Sequence, residues 1–342
     1  MLKASIVILS FNQEKYIEAA LRSALEQDYP NLEILIGDDA SSDGTRLLIE
    51  KVLSTHPSAH LARLLPLAPN LGLVGNWERL VRNATGDFIV AQAGDDVSMP
   101  RRTAQIAHIL SANQDVMAVL SQVRIIDGNS AVLRETFEQG RPSFGKYLRN
   151  PRRDGFDFWC GAPVLGACAA YRRRLHDDFG PLIRAHSEDE AYVYRALLLG
   201  CVAYTDEILL EWRWHGRNLS VGSLMDEGSV KTALERRAKS ALMRQESCDQ
   251  HMIDLQTAFA SKLIKADDFH AEKTKIEAMR AIQGLGYASV SPRAPFRVWL
   301  AEARMLISAN GYGLAVWRYL LRTFVKKLLP GSIRLSYSRP VR

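Results

Sequence analysis

The chain has 342 residues, of which 47% are hydrophobic and 24% are charged, a balance typical of a globular protein with a sizeable core. Its four cysteines form no CxxC pair, which disfavours a disulfide framework, and no apolar run is long enough to span a bilayer. The formal net charge is +6, so nucleic acid, a membrane surface and phosphorylated substrates are all candidate partners at this point.

The first half of the chain alternates strand-like and helical segments. Continuous apolar runs predict buried strands, and apolar residues spaced three to four apart predict helices. The predicted strands are 4–10, 32–36 and 86–92, and the predicted helices are 16–27, 45–53 and 77–83. This alternation predicts an α/β fold with a mostly parallel sheet between two layers of helices.

No cleavage site follows Met1, so we expect the protein on the cytoplasmic side of the membrane.

Polar residues follow each of the three predicted strands. Ser10 to Gln13 follow the first strand, Asp38 to Gly44 the second, and Gly94 to Asp96 the third. Ligands of open α/β sheets bind beyond the carboxyl ends of the strands. We therefore expect a ligand site here, lined by acids, which opposes binding of a nucleic-acid backbone. No GxGxxG follows the first strand, so a dinucleotide-dependent dehydrogenase is also disfavoured.

The two acid pairs at these strand ends have different candidate roles. Asp38 and Asp39 precede good helix-capping residues, so they could belong to a helix cap. Alternatively, their carboxylates could bind a ligand by accepting hydrogen bonds from a nucleoside base N–H or a ribose hydroxyl. Asp95 and Asp96 could form a solvated turn. Two adjacent acids at a sheet edge repel each other, however, and a divalent cation such as Mg²⁺ or Mn²⁺ would relieve that repulsion.

The middle of the chain adds two further candidates. A strand is predicted at 116–126, a loop at 141–158, a helix at 185–199 and a strand at 202–210. Glu188 and Asp189 open the predicted helix, where acids are favoured by the helix dipole, and one of them could act as a general base. His215, in the segment WRWHGRNLS, could contact a diphosphate or sugar, or belong to a packed strand end.

Five segments in this order resemble the family 2 glycosyltransferases of the GT-A fold, over about residues 4–220. They are SIVILSFNQEKYI, DDASSDGT, NLGLVGNWERLVRNATGDFIVAQAGDD, SEDEAYVYRALLLG and WRWHGRNLS. The resemblance implies a GT-A domain at 1–222, followed by a helical C-terminal extension at 223–342. It also implies a nucleotide-sugar donor, a glycan or lipid-linked acceptor, and a place in bacterial surface-polysaccharide synthesis such as that of O-antigen.

Residue roles follow from the same resemblance. Asp96 would be the main metal ligand with Asp95 in support, and Asp189 would be the catalytic base with Glu188 beside it. The residues implied for binding the nucleotide sugar are Ser10, Asn12, Asp38, Asp39, Asn76, Asp95 and His215. The implied reaction is an inverting displacement that needs a divalent metal. Many relatives carry a further acid just before the Asp pair, where this chain has Ala93 and Gly94. A non-catalytic nucleotide-sugar-binding protein is the alternative.

The end of the chain is basic. From Arg293 onward, ten Lys and Arg residues stand against one acid, Glu302. One face of a predicted helix there carries apolar residues, namely Leu314, Trp317, Leu321, Phe324, Val325 and Leu328. A basic amphipathic helix of this kind suits the inner-leaflet membrane surface, whereas the alternative is a helix packed on the rest of the protein.

Overall fold

A computed structural model describes residues 1–136, 147–148, 166–215, 218, 230–291, 294–310 and 314–328. The chain forms two compact units. The first contains Met1–Leu182 and Ser187–Ser220, and the second contains Ile183–His186 and Val221–Arg342. The domain boundary expected at residues 222–223 stays a prediction, because it falls outside the described residues. Most of the expected loop at 141–158 also lies outside them.

The first unit is built on one mixed sheet. Its strands are β1 (Ala4–Ser10), β2 (Leu32–Asp38), β3 (Ala62–Leu64), β4 (Phe88–Ala93), β5 (Val97–Ser98), β6 (Val116–Ile126), β7 (Val132–Arg134), β8 (Tyr147–Leu148), β9 (Ala169–Arg172) and β10 (Cys201–Arg213). The spatial order is β3-β2-β1-β4-β9-β6-β10-β5, with β7 beside β6 and β8 beside β10. The first four strands of this order are mutually parallel, β9 is antiparallel to both of its neighbours, and β10 is parallel to β6.

The central strands are covered on both faces. Six of the seven residues of β1 are buried, as the continuous apolar run predicts. The helices of this unit are α1 (Ile17–Leu25), α2 (Thr45–Thr55), α3 (Gly72–Asn83), α4 (Arg102–Ala112), α5 (Arg174–Asp177) and α6 (Glu188–Leu199). The core that forms between the sheet and the helices includes Ile6, Ile8, Leu21, Ile34 and Phe88, all fully or almost fully buried.

Two boundaries differ from the sequence prediction in ways that matter for the site. Helix α3 begins at Gly72 rather than residue 77, because tertiary contacts hold a first turn that contains two glycines of low helix propensity. Strand β10 runs to Arg213 rather than residue 210, since it pairs with β6 as far as Ile126. Both extensions carry polar side chains to the carboxyl edge of the sheet.

The described part of the second unit is helical. Its helices are α7 (Val230–Ala260), α8 (Ala266–Val290), α9 (Phe296–Asn310) and α10 (Leu314–Leu328). An apolar cluster joins α8, α9 and α10 through Leu285, Trp299, Leu306 and Leu320. None of the helices in the described ranges is long and apolar enough to cross a membrane.

Candidate functional site

The carboxyl ends of β1, β2 and β4 meet in register. Ser10 lies opposite Asp38, and Leu9 lies opposite both Gly37 and Ala93. The ladder continues one step further, because the Asp39 N–H donates to the Ser10 carbonyl at 3.0 Å and the Gly94 N–H donates to the Leu9 carbonyl at 2.8 Å. The three polar segments predicted to line a site are therefore neighbours at one sheet edge.

The loops after β1 and β2 are bonded to each other. Asn12 has a left-handed backbone (φ 53°), a conformation that Asn tolerates better than most residues. Its side-chain oxygen accepts from the Ser42 N–H at 2.8 Å, and its own N–H donates to the Ser41 hydroxyl at 2.9 Å. Asn12 thus joins the two loops, and the nucleotide-sugar contact that the resemblance implies for it stays a prediction.

The adjacent acids Asp38 and Asp39 differ in what they bond. The Asp39 carboxylate accepts from the Leu71 N–H at 2.7 Å, which anchors the segment that leads into α3. One oxygen of Asp38 accepts from the Ser41 hydroxyl at 2.5 Å, whereas Oδ2 is buried without a hydrogen-bond partner among the described residues. A buried carboxylate oxygen without a partner is costly, so Asp38 is the acid of this pair that is poised for a ligand.

Three more buried oxygens at the same edge have no hydrogen-bond partner in the described part of the chain. They are Ser10 Oγ, Gln13 Oε1 and Asn76 Oδ1. The amide of Asn76 donates to the Gly37 carbonyl at 2.7 Å, which fixes the orientation of its side chain. A Cβ atom on Gly37 would lie 2.4 Å from Asn76 Oδ1, so glycine is needed for this close approach.

Asp95 and Asp96 lie where β4 ends, and both are buried. Asp96 Oδ1 accepts from the Arg213 N–H at 2.9 Å, while Oδ2 has no partner among the described residues. Asp95 Oδ2 lies 2.9 Å from His215 Nε2. Burial raises the pKa of Asp96 well above its usual value, and the neighbouring Asp95 raises it further. A second negative charge is thus disfavoured here unless a cation compensates for it.

This donor set fits a hard divalent cation. A single buried carboxylate oxygen without a partner, beside a second carboxylate, suits Mg²⁺ or Mn²⁺, which use one or two carboxylates and take phosphate and water oxygens for the rest. Within the described ranges no group of three or more His, Cys, Asp or Glu residues could hold a metal by itself. A metal at Asp96 and Asp95 would therefore need oxygens from a ligand.

Gly94 belongs to the Ala93–Gly94 segment just before the Asp pair, where the family resemblance implies a further acid in many relatives. A Cβ atom there would lie 2.2 Å from Gln13 Oε1 and 3.0 Å from both the Ile17 and the Ser10 side chains. These contacts leave no room for a carboxylate in the present arrangement. Glycine at this position therefore accommodates the close approach of the loop after β1.

Arg213 connects the segments around this acid pair. Its buried guanidinium donates to the Asp95 carbonyl at 2.8 Å, and to the Asp127 carbonyl and the Ser130 hydroxyl at 2.9 Å each. The guanidinium carbon also lies 5.0 Å from the ring centre of Tyr16, and that ring stacks on His215 at 4.9 Å. Arg213 therefore positions the backbone of Asp95 and, through its own N–H, the carboxylate of Asp96.

Replacing Arg213 with lysine should destabilise the protein by about 2–4 kcal/mol, because several buried acceptors would lose their donor. Urea denaturation measures this change. Arg124→Lys is the matched control, since Arg124 makes partly exposed ion pairs with Glu135 and Glu211 and should change stability by less than about 1 kcal/mol. Equal effects of the two substitutions would contradict the positioning role.

Glu188 and Asp189 begin α6. The Asp189 carboxylate accepts from the Ser187 hydroxyl at 2.7 Å, the Glu190 N–H at 2.8 Å and the Gly166 N–H at 3.2 Å. Glu188 is buried, and its Oε2 has no hydrogen-bond partner among the described residues. Burial, and then the charge of Asp189, raise the pKa of Glu188 to about 8. Asp189 is thus the more accessible, hydrogen-bonded carboxylate, and Glu188 holds a proton at neutral pH.

The raised pKa of Glu188 predicts a pH dependence of stability. The unfolded glutamate loses its proton near its ordinary pKa of 4.5 and the folded one near 8. Its stabilising contribution is therefore complete below pH 4.5 and is lost as the pH rises toward 8. Glu188→Gln should match the wild type near pH 4.5 and exceed it at pH 8 by on the order of a few kcal/mol. Urea denaturation across this range tests the prediction, and a constant difference at every pH would contradict it.

Buried Arg102 bridges the surroundings of the two acid clusters. Its guanidinium donates to the carbonyls of Ala91 in β4 and Ala167 at 2.7 Å each. Ala167 follows Gly166, whose N–H donates to Asp189. On the other side, Arg102 lowers the pKa of Asp96, against the larger opposing effect of burial. Arg102 therefore contacts the segment that holds the candidate base and interacts electrostatically with the candidate metal ligand Asp96.

Sequence reasoning missed several residues that shape the site. These are Tyr16, Arg102, Gly166 and the buried guanidinium of Arg213. Tyr16 and Arg213 lie inside motifs that carry the family resemblance, so a search for partners of the acids could have proposed them. Gly166 carries no local signal; a Cβ atom there would lie 2.6 Å from Glu188 Oε1, a clash that only the folded structure reveals.

Comparisons with known proteins agree with this architecture. Residues 5–180 match the sequence profile of glycosyl transferase family 2. The chain is 28% identical over 237 residues to an uncharacterized glycosyltransferase of Nostoc sp., alr2836, a stretch that covers 68% of this chain and 71% of that protein. It is 33% identical over 147 residues to the Escherichia coli protein named UDP-Glc:alpha-D-GlcNAc-diphosphoundecaprenol beta-1,3-glucosyltransferase WfgD, covering 43% and 55% of the two chains.

The fold has a counterpart among solved structures. S. aureus TarS, crystallised in complex with UDP-GlcNAc, superimposes with a TM-score of 0.52 at 16% identity, covering 98% of this chain and 91% of the TarS chain. This likeness confirms the expected GT-A fold class. Because the family profile matches just over half of the sequence, and the matched residues form the sheet edge described above, the chain is a glycosyltransferase that belongs to glycosyl transferase family 2.

Proposed function

We propose that this chain transfers a sugar from a nucleotide-diphosphate donor to a hydroxyl of a glycan or lipid-linked acceptor, with inversion at the sugar. The proposal rests on one observation above all. Five buried oxygens without hydrogen-bond partners among the described residues lie on adjoining segments of one sheet edge: Ser10 Oγ, Gln13 Oε1, Asp38 Oδ2, Asn76 Oδ1 and Asp96 Oδ2. Buried oxygens of this kind call for a polar ligand that supplies donors and a cation.

The donor would lie along this edge in a defined order. Asp38 and Asn76 are suited to hydroxyl and N–H groups of the nucleoside, because their free oxygens are acceptors. Asp95 and Asp96 would hold a divalent cation, Mn²⁺ or Mg²⁺, which when bound neutralises the charge of the diphosphate. The His215 ring lies beside the Asp95 carboxylate. If the ring turns away from Asp95, its N–H can donate a hydrogen bond to a phosphate oxygen of the donor.

Asp189 would accept the proton of the attacking hydroxyl. Its carboxylate is held by the donors of Ser187, Glu190 and Gly166, so its orientation is fixed before an acceptor binds. Glu188 keeps its proton and leaves Asp189 as the charged member of the pair. As Asp189 takes the proton, the hydroxyl oxygen would bond to the anomeric carbon of the sugar while the bond from that carbon to the diphosphate oxygen breaks. The nucleoside diphosphate would leave from the opposite face of the sugar.

The acceptor class is proposed from the chemistry named for relatives. The E. coli relative and a Campylobacter jejuni protein, 29% identical over 96 residues, are both named as glucosyltransferases that act on undecaprenol-linked diphosphates. We infer a polyprenol-linked or glycan acceptor for this chain, and a place on the cytoplasmic side of the membrane in surface-polysaccharide synthesis.

A thermal-shift series with UDP, GDP, CDP and dTDP, each with and without Mn²⁺, tests donor binding. One nucleotide should stabilise the chain by about 2.7 kcal/mol at a hundred times its dissociation constant, and only when Mn²⁺ is present. Transfer to a lipid-linked acceptor then separates an enzyme from a non-catalytic binder. No stabilisation by any nucleotide diphosphate would reject the proposal.

A further inference from the structure

Two helices of the second unit expose large apolar side chains. Phe296 and Leu300 on α9, and Trp317, Leu321 and Leu328 on α10, are each between 41% and 67% exposed. We call these five residues the apolar patch. None of them belongs to the candidate site. Such a cluster on two adjoining helices is uncommon on a protein surface that faces only water.

The patch is one surface that spans both helices. The ring of Phe296 on α9 lies 5.9 Å from the ring of Phe324 on α10. Phe324 follows Leu321 by three residues and precedes Leu328 by four, so these side chains share one side of α10. The exposed residues of α9 therefore adjoin those of α10 through the Phe296–Phe324 contact.

Packing inside the second unit uses a different side of α10. Leu320 is only 3% exposed, whereas the next residue, Leu321, is 64% exposed. The hydroxyl of Thr323, on the buried side, accepts from the Trp299 indole N–H at 3.1 Å. The expected amphipathic helix is therefore docked by one face. Of the apolar stripe predicted from the sequence, Trp317, Leu321 and Leu328 are exposed, whereas Phe324 and Val325 are half-buried.

Positive charge borders the patch. Arg297 and Arg304 on α9 and Arg318 and Arg322 on α10 are all exposed. The acid of these two helices, Glu302, lies half-buried on another side, 3.1 Å from the Gln245 amide and 3.8 Å from Arg280. The exposed charged residues in the described part of α9 and α10 are thus all arginines, and they stand beside exposed apolar and aromatic side chains.

We propose that the apolar patch and its four arginines dock this protein on an anionic lipid bilayer. Trp and Phe side chains favour the boundary between headgroups and acyl chains, and arginine is attracted to anionic headgroups. The complementary charge is what distinguishes a bilayer from a second copy of this chain, whose identical arginines would face these across a two-fold interface and repel them. The surface would keep the chain on the membrane that holds such acceptors, and it uses no residue of the catalytic edge.

Sedimentation of the full chain with vesicles tests the proposal. The protein should bind phosphatidylcholine vesicles that contain phosphatidylglycerol, bind pure phosphatidylcholine vesicles far more weakly, and lose affinity as salt is raised. Arg318→Glu with Arg322→Glu should lower the partition coefficient roughly 10- to 100-fold. Trp317→Ser with Leu321→Ser should lower it at least about tenfold.

Two matched control pairs make the same kinds of substitution outside the patch, so they show whether a loss of vesicle binding depends on where the substitution lies. Lys239→Glu with Lys265→Glu changes the net charge equally at exposed positions on α7 and just before α8. Leu47→Ser with Leu242→Ser removes exposed apolar side chains elsewhere. Both control pairs should bind vesicles within about threefold of the wild type.

Failure of the wild type to sediment with anionic vesicles would overturn the proposal, as would equal losses in test and control pairs. A dimer in sedimentation equilibrium that Trp317→Ser with Leu321→Ser abolishes would assign the patch to a second copy instead.

Discussion

Replacing Asp96 with asparagine should abolish the stabilisation by nucleotide with Mn²⁺ and lower sugar transfer by about 10³-fold or more, since metal stabilisation of a leaving group is worth several kcal/mol. Asparagine has nearly the shape of aspartate and keeps an oxygen for the Arg213 N–H. Without metal, the variant should be more stable than the wild type at pH 8, because the raised pKa of Asp96 shows that its buried charge is unfavourable. Thermal unfolding with and without Mn²⁺ and nucleotide, beside a transfer assay, measures all three effects.

Asp87→Asn is the matched control for Asp96→Asn. Asp87 lies just before β4, at the opposite end of the same strand, and its exposed carboxylate accepts from the Lys3 N–H at 2.7 Å. The same chemical change there should leave nucleotide binding and transfer within about twofold of the wild type. An Asp96→Asn variant that keeps the Mn²⁺-dependent shift would remove Asp96 as the metal ligand, and lower stability of this variant without metal would contradict the electrostatic account.

Replacing Asp189 with asparagine should lower transfer by about 10²- to 10⁴-fold while nucleotide-sugar binding stays unchanged. The amide oxygen can still accept from the Ser187 hydroxyl and the Glu190 N–H, so the start of α6 should keep its shape. What disappears is the ability to accept a proton from the acceptor hydroxyl. Isothermal titration with the donor, and transfer rates measured across pH, separate binding from chemistry.

Glu190→Gln serves as the control for Asp189→Asn. It makes the same acid-to-amide change one residue later in the first turn of α6, and it alters the interaction with the helix dipole in the same way. Transfer by Glu190→Gln should stay within a few fold of the wild type. If Asp189→Asn transfers sugar at the wild-type rate, or loses donor binding in parallel with transfer, Asp189 does not act as the base.

The acid-lined edge could be predicted from the sequence because buried parallel strands leave a strong local signal. β1, β2 and β4 are each rich in apolar residues, and the residues that follow them are polar. Parallel strands place their carboxyl ends together, so the position of the site follows from the fold class alone. The start of α6 at Glu188, one residue after Ser187, follows for a similar reason, since acids cluster in the first turn.

Which acid of each pair keeps an oxygen without a partner could not be predicted in this way. Asp38 and Asp39 are adjacent and chemically identical, yet Asp39 is bonded to the N–H of Leu71, 32 residues later, while one oxygen of Asp38 has no hydrogen-bond partner among the described residues. Arg213 is likewise 117 residues from Asp96, whose carboxylate it positions. Contacts at such separations leave no periodic signal in a single sequence.

At both ends of the chain, local sequence patterns determined the elements, and tertiary contacts decided the surroundings of single side chains. By itself, the sequence determined that a parallel sheet presents acids at one edge and that an amphipathic basic helix spans 314–328, because both follow from short-range patterns of apolar residues. Only the tertiary structure decided that Asp38 and Asp96 each keep an oxygen without a hydrogen-bond partner in the described part of the chain, that Gln13 and Ile17 crowd the position of Gly94, and that Leu320 is buried while Leu321 is exposed. These features depend on which distant segments touch each residue, and packing of the whole chain sets those contacts.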